Sequence, residues 1–238
     1  YDILNSKQAL CKKMISLGGR CAKHDDGDKE VCLDHHLSPP QNNCLVYSFG
    51  IGDDLTFEDA LTTFKNCEIH MFDPTLNRGA QSMMLPQDLM SNQHFHLIGL
   101  GDKDEKEHHT GKDPEYIEIR KLDTIMKDLG HMGRTIHYMK IDIEGSEWKS
   151  LSYMVAHDLL DNVWQLAMEL HTGHLNNQPH DTWLTHLQEY FEILRSVEAL
   201  GFFRVSYRDN RAKECLVKLP HEDFIRPGCG EILYIQHI

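Results

Sequence analysis

Short apolar runs alternate with amphipathic stretches along most of this 238-residue chain. Residues 44–49 form a run apolar enough for a strand buried on both faces. From Thr56 to Lys65 the apolar positions recur at helical spacing, with Phe57, Ala60, Leu61 and Phe64 on one face. A second strand is predicted over 68–72, a short helix over 86–91 opened by Pro86, and a third strand over 94–100. The charged stretch 102–114 reads as a solvated loop, and 116–120 alternates like an extra strand. A helix over 122–129 stops at Gly130, a fourth strand spans 136–143, and Ser146 opens the next helix. Residues 163–170 give a fifth strand, and 181–200 a long helix ended by Gly201. The last two strands, 202–207 and 231–236, are expected to be antiparallel, because their connection is too short for a crossover helix.

Strands alternating with helices predict an α/β chain with a mostly parallel, doubly wound sheet. Residues 1–40 contain no clear strand. A short helix over 7–17 and the closing Ser38-Pro-Pro40 suggest a cysteine-containing N-terminal cap on a main domain covering 41–238.

Composition narrows the function. A net charge of -13 with scattered basic residues excludes a nucleic-acid backbone as partner. No apolar run approaches the roughly 18 residues of a membrane helix. Tyr1 in place of Met points to a processed or truncated product, with any targeting segment outside this chain. Of the seven cysteines, Cys11, Cys21, Cys32 and Cys44 are spaced by ten, eleven and twelve residues, and none forms the CxxC of a zinc site. Cys215 and Cys229 flank a C-terminal hairpin. This pattern favours disulfides and a secretory location over buried thiols, although the chain has no Asn-x-Ser/Thr sequon.

The most informative run is Cys44-Leu-Val-Tyr-Ser-Phe-Gly-Ile-Gly-Asp-Asp54, followed by Glu68-Ile-His-Met-Phe-Asp-Pro74. It reads as strand, glycine turn, helix and a second strand ending in an acid. Gly50 and Gly52 permit a tight turn and close approach of a ligand. Asp73, 21 residues after Gly52, is placed to bind ribose hydroxyls. The third glycine of a dinucleotide fingerprint is replaced by Leu55, and Asp53 and Asp54 stand where a pyrophosphate would lie. A cationic, phosphate-free nucleoside such as S-adenosylmethionine fits better.

A second run, Ile136-His-Tyr-Met-Lys-Ile-Asp-Ile-Glu-Gly-Ser-Glu-Trp148, sets a lysine in a buried strand before three acids. Ligands lie at the carboxyl ends of parallel strands, so Asp142 and Glu144 are aimed at the site. Lys140 is expected to pair with one of these carboxylates, and Glu147 either serves function or answers the helix dipole. Glu169 and His171 share one side of the fifth strand. With Asp142 they admit three readings: a manganese or magnesium site, His171 alone as general base, or a structural Glu169–His171 hydrogen bond. His94 and His96 share a strand face at metal-like spacing, but are read as satisfied strand histidines.

Met139-Lys-Ile-Asp-Ile-Glu-Gly-Ser-Glu147 resembles the signature of FkbM-type methyltransferases. Val46-Tyr-Ser-Phe-Gly-Ile-Gly-Asp53, Phe72-Asp-Pro74, Val31-Cys-Leu-Asp34 and Arg120-Lys-Leu-Asp-Thr-Ile125 are similar to the methyltransferase-like 24 branch, from about residue 31 to the C-terminus. The resemblance implies a Rossmann-like class I methyltransferase: a doubly wound, mostly parallel seven-stranded sheet with one antiparallel strand. It implies S-adenosylmethionine as donor and O-methylation as reaction, with a hexose hydroxyl of a glycan as acceptor and the Golgi lumen of the secretory pathway as location. By position, Ser48, Gly50 and Gly52 belong to the donor site, Asp73 to the ribose, Gly101 and Asp102 to the adenine side, and Asp142 to the sulfonium and acceptor. A phenol or protein side chain as acceptor, and a non-catalytic binding protein on the same fold, are the alternatives.

Overall fold

The computed structural model describes residues 4, 6–19, 27–34, 36–76, 89–108, 116–210, 215–218 and 225–236. In chain order its elements are β1 (Met14–Gly18), β2 (Asp28–Cys32), β3 (Leu45–Phe49), α1 (Thr56–Lys65), β4 (Glu68–Phe72), β5 (Gln93–His96), β6 (Gly99–Leu100), β7 (Glu105–His108) and β8 (Tyr116–Arg120). There follow α2 (Leu122–Asp128), β9 (Tyr138–Ile141), α3 (Glu147–Ala156), β10 (Gln165–His171), α4 (Trp183–Ala199), β11 (Phe202–Asn210), β12 (Leu216–Lys218), β13 (Ile225–Pro227) and β14 (Cys229–Gln236). Seven of the strands form the central sheet in the order β11-β14-β10-β9-β3-β4-β5. Within it β14 runs antiparallel to both neighbours, while β3, β4, β5, β9 and β10 pair in parallel. This is the doubly wound α/β fold expected, with one reversed strand.

Strand periodicity divides the core into two layers. Leu45, Tyr47 and Phe49 of β3, with Met139 and Ile141 of β9, join residues of α2, α3 and α4 on one face. Val46 and Tyr138 point the other way, into a cluster with Phe57 and Leu61 of α1 and with Val31, Cys32 and Leu37 of the N-terminal segment. The polar residues at alternate positions on that second face, Ser48, Lys140 and Glu169, are also buried, and they prepare the site.

Four local readings are corrected. Residues 7–17 are not a helix: Met14–Gly18 is a strand paired antiparallel to β2. Cys11 is bonded to Cys32, and the Asp34 carboxylate accepts the backbone N–H groups of Lys12 and Lys13, so the backbone partners lie outside the segment. The third strand splits: Gln93–His96 extends the main sheet, whereas β6 joins β8 and β7 in a separate three-stranded sheet. Part of the expected loop at 102–114 is therefore strand β7, and residues 109–115 lie outside the described residues. Residues 86–88 of the expected short helix also lie outside them, and 89–91 are not helical.

Three disulfides are present, Cys11–Cys32, Cys44–Cys67 and Cys215–Cys229; Cys21 lies outside the described residues. The Cys11–Cys32 bridge closes the N-terminal segment on itself, and hydrogen bonds tie that segment to the sheet. Gln165 of β10 exchanges hydrogen bonds with the Cys32 backbone and donates to the Leu37 carbonyl, and the Tyr138 hydroxyl donates to the Glu30 carbonyl at 2.8 Å.

Candidate active site

The turn after β3 is built on two left-handed glycines with different neighbours. Gly50 has φ +74°, and a Cβ there would fall 1.6 Å from the Asp142 carbonyl oxygen. The close approach expected of a ligand is thus made by the chain itself. Gly52 has φ +53°, and among the described residues nothing lies within 4 Å of where a side chain would stand. Its N–H donates to Asp73 Oδ2 at 2.9 Å, while Asp73 Oδ1 accepts from the Thr75 N–H and hydroxyl. Asp73 is buried at the end of β4, so its carboxylate braces the glycine turn. A carboxylate offers about four lone-pair positions, and three are taken here.

Beneath this turn, Ser48 is fully buried and donates to Glu58 of α1. Lys140 donates to the Gly50 carbonyl at 2.9 Å and lies 3.8 Å from Glu58. Its close ion partner is therefore in α1, while its charge also acts on Asp142. Asp54 accepts from the Thr56 N–H, which opens α1, and so has a helix-end role of its own.

At the carboxyl end of β9 and β10 a dense ionic cluster gathers. Lys29 of β2 reaches in from the N-terminal strand pair, bonds Glu231 of β14 and lies 3.5 Å from Asp142 Oδ2. His171 Nε2 stands 3.8 Å from Asp142 Oδ1, 3.7 Å from Glu144 Oε2 and 4.0 Å from Glu169 Oε1. Asp142, Glu169 and His171 thus converge. Glu147 is wholly buried: its Oε1 accepts the His171 N–H at 2.7 Å and lies 3.3 Å from His171 Nδ1, and its Oε2 accepts the Gly145 N–H. Trp148 donates to the His171 carbonyl. Two neighbours in the sequence of α3 therefore fix the end of β10.

Burial sets the protonation pattern, and neighbouring charge then sorts it. Burial raises Glu169, aided by Asp142 and Glu231, to about 8. Burial would lower His171, but Glu147, Glu169 and Asp142 outweigh it and hold the imidazole at about 9. Asp142 is pushed up by burial, yet Lys29, Lys140 and His171 bring its pKa below the usual carboxylate range. Lys29 is held protonated by Glu231, Asp142 and Glu169 against its own desolvation.

A cavity of about 280 Å³ adjoins this cluster, lined by Glu144, Glu169, His171, His174, Asn210 and the Cys215–Cys229 bridge. Asn210 donates to Glu169 at 2.7 Å. Asp102 lines a different cavity of about 790 Å³ together with Gly145, Trp148, Tyr153, His174 and Tyr190. Gly101 is packed against Ile119, where a Cβ would fall 2.4 Å from the isoleucine side chain.

A family profile described as a methyltransferase domain matches residues 7–215. The chain belongs to that methyltransferase family. Within it the similarity is to the methyltransferase-like 24 branch. The human protein named "Probable methyltransferase-like protein 24" is 26% identical over 197 residues, covering 79% of this chain and 50% of the relative. Its rat counterpart (Rattus norvegicus) is 27% identical over 178 residues, covering 72% and 46%. The chain thus spans about half the length of the curated relatives it matches. Among solved structures, a fibrillarin pre-rRNA processing protein of Methanococcus jannaschii superposes with a TM-score of 0.47 at 9% identity, covering 94% of this chain and 89% of that one.

For a methyltransferase of this family the donor is S-adenosylmethionine. The open space over Gly52, beside a carboxylate at the end of the second parallel strand, fits that group. Sequence reasoning missed Lys29, Glu231, Glu58 and Asn210. Lys29 shares a strand face with apolar Val31, and Glu231 interrupts the apolar run of β14, so an inward charge was marked at both.

Proposed function

We propose that this protein transfers a methyl group from S-adenosylmethionine to a hydroxyl of a hexose in a glycan, within the secretory pathway. The observation that carries this reading is the polar cavity beside Asp142. Its walls offer two carboxyl groups, an amide and two imidazoles, and so both donors and acceptors for a neutral polyol. Anionic acceptors fit such an acidic wall poorly. Three disulfides agree with an oxidising lumen such as that of the Golgi.

The donor, when bound, supplies an electrophilic methyl carbon on its sulfonium. Gly52 and Asp73 would hold its ribose end, with Gly101 and Asp102 on the adenine side. The chain's remaining work is to place the acceptor oxygen and accept its proton. Asp142 stays ionised through Lys29 and Lys140 and stands 3.8 Å from His171 Nε2. Ligand atoms of Asp142, Glu144 and His171 lie within 4.8 Å of one another. This set, with Glu144 in the place expected for Glu169, is suited to manganese or magnesium, which would grip a sugar hydroxyl and make it more acidic. Glu169 is engaged instead by Asn210. Without a cation, His171 is the group left to take the proton, and it does so only in its neutral form, which gains ground as the pH rises towards about 9.

The test is methyl transfer from labelled donor to free hexoses and methyl glycosides, with and without a chelator. Labelled sugar formed by wild type and lost in His171→Ala supports the reading. Donor binding without transfer to any sugar, but with transfer to phenols or peptides, overturns the acceptor class. Turnover stopped by chelator and restored by manganese selects the cation, and unchanged turnover selects His171 as base.

A further inference from the structure

We infer that Glu68, His70 and His131 form a zinc-binding site at the opposite edge of the sheet from the candidate active site. Glu68 begins β4, whereas Asp73 follows its last residue. Five residues of strand separate the two positions by about 16 Å.

The ligand atoms already have the required spacing. Glu68 Oε1 lies 3.0 Å from His70 Nε2 and 3.4 Å from His131 Nε2, and the three atoms are mutually within 4.8 Å. Zinc bonds of 2.0–2.2 Å at tetrahedral angles set neighbouring ligand atoms about 3.3 Å apart. Both imidazoles thus turn the same nitrogen toward one carboxylate oxygen. A hydrogen bond from His70 accounts for one of these approaches and leaves His131 Nε2 at 3.4 Å.

Each ligand's other polar atom is held by a partner, as metal-binding side chains require. His70 Nδ1 is 2.9 Å from His96 Nε2, His131 Nδ1 is 2.7 Å from the Tyr47 hydroxyl, and Glu68 Oε2 accepts from Arg134 at 2.7 Å, with a second, longer donation of 3.3 Å from Arg134 to Oε1. The His70 and His131 rings cross at 82°, and His70 stacks on His94 and His96. Both ligand histidines are buried, while the Glu68 side chain is 35% exposed and opens the site to solvent.

Protonation agrees with this geometry. Burial lowers His70 to about 4 and also lowers His131, and the Arg134 hydrogen bond holds Glu68 at about 2. At neutral pH the set is two neutral imidazoles and a carboxylate, the protonation state a metal needs. Zinc on His70 Nε2 requires the His70 proton to move to Nδ1 and His96 to shift its own proton to Nδ1, so that its Nε2 accepts. Two imidazoles and one carboxylate suit zinc, whereas the oxygen-rich group at Asp142 suits harder cations. Three protein ligands leave a fourth position for water.

The experiment is titration of the untagged, metal-stripped protein with zinc chloride against a chromophoric chelator, with zinc-edge X-ray absorption on the loaded protein. We expect one zinc of sub-micromolar affinity and two imidazole nitrogens in its shell. Affinity should fall at least tenfold in Glu68→Gln and further in His131→Gln, and should persist in Glu144→Gln. Metal-free melting midpoints within a few degrees of wild type establish that the variants fold. No zinc bound by wild type overturns the site, as does affinity that survives His131→Gln or collapses in Glu144→Gln.

Discussion

Glu169 and Glu231 face each other directly across the antiparallel pair β10–β14. Like charges so placed destabilise a sheet; Glu169 is buried and the Glu231 side chain is 12% exposed. The pairing is tolerated because Glu169, held at about 8, is largely protonated at neutral pH, and because Lys29, from a strand outside the sheet, places its ammonium on Glu231 and beside Asp142. Lys29→Met should therefore cost about 3–5 kcal/mol of stability, the scale for stripping one partner from a buried ion pair. Adding Glu231→Gln should recover part of that loss. Urea denaturation of the two single variants and the double reads the coupling, and additive losses would separate Lys29 from Glu231.

Gly50 and Gly52 should respond differently to alanine. Gly50→Ala drives a methyl group into the Asp142 carbonyl and should lower stability by about 3 kcal/mol or more, because strand β9 must shift. Gly52→Ala meets open space and bears only the left-handed backbone cost, about 1–2 kcal/mol. Melting curves compare the two, and equal losses would contradict the geometry of the turn.

Asp73→Ala removes the acceptor for the Gly52 N–H and both Thr75 donors. Affinity for S-adenosylhomocysteine should weaken by about 1–3 kcal/mol, the value of a charge-assisted hydrogen bond. Calorimetry measures this, and unchanged affinity would remove Asp73 from the donor site.

Glu147→Ala leaves the His171 and Gly145 N–H groups without their carboxylate. Each buried unsatisfied donor costs about 1–3 kcal/mol, so a loss near 3 kcal/mol is expected, with turnover falling as His171 loosens. Full turnover at reduced stability would show that Glu147 holds the fold alone.

Free-thiol titration in denaturant should find at most one reactive cysteine, rising to seven after reduction, since six are paired. Reduction of a bridge closing a loop of this size should cost about 3 kcal/mol. Six or seven thiols before reduction would contradict the pairing and weaken the secretory reading.

The order of strands and helices was legible because it rests on local periodicity: residues 68–72 form strand β4 as read, and 202–207 and 231–236 lie within the antiparallel β11 and β14. The motif acids Asp73 and Asp142 were legible too, since a parallel strand that ends in an acid delivers it to the ligand edge. By itself, then, the sequence determined the α/β class, the reversed final strand and the residues that meet at that edge. Tertiary structure alone decided what stands around them. Cys11 found Cys32, Lys29 entered the acidic cluster, Lys140 turned to Glu58, and His131 met Glu68 and His70 of β4 from a separate segment. Periodicity reports which way a side chain points along its own element. Which distant charge or ring it meets is fixed by packing between elements, and no local pattern encodes that choice.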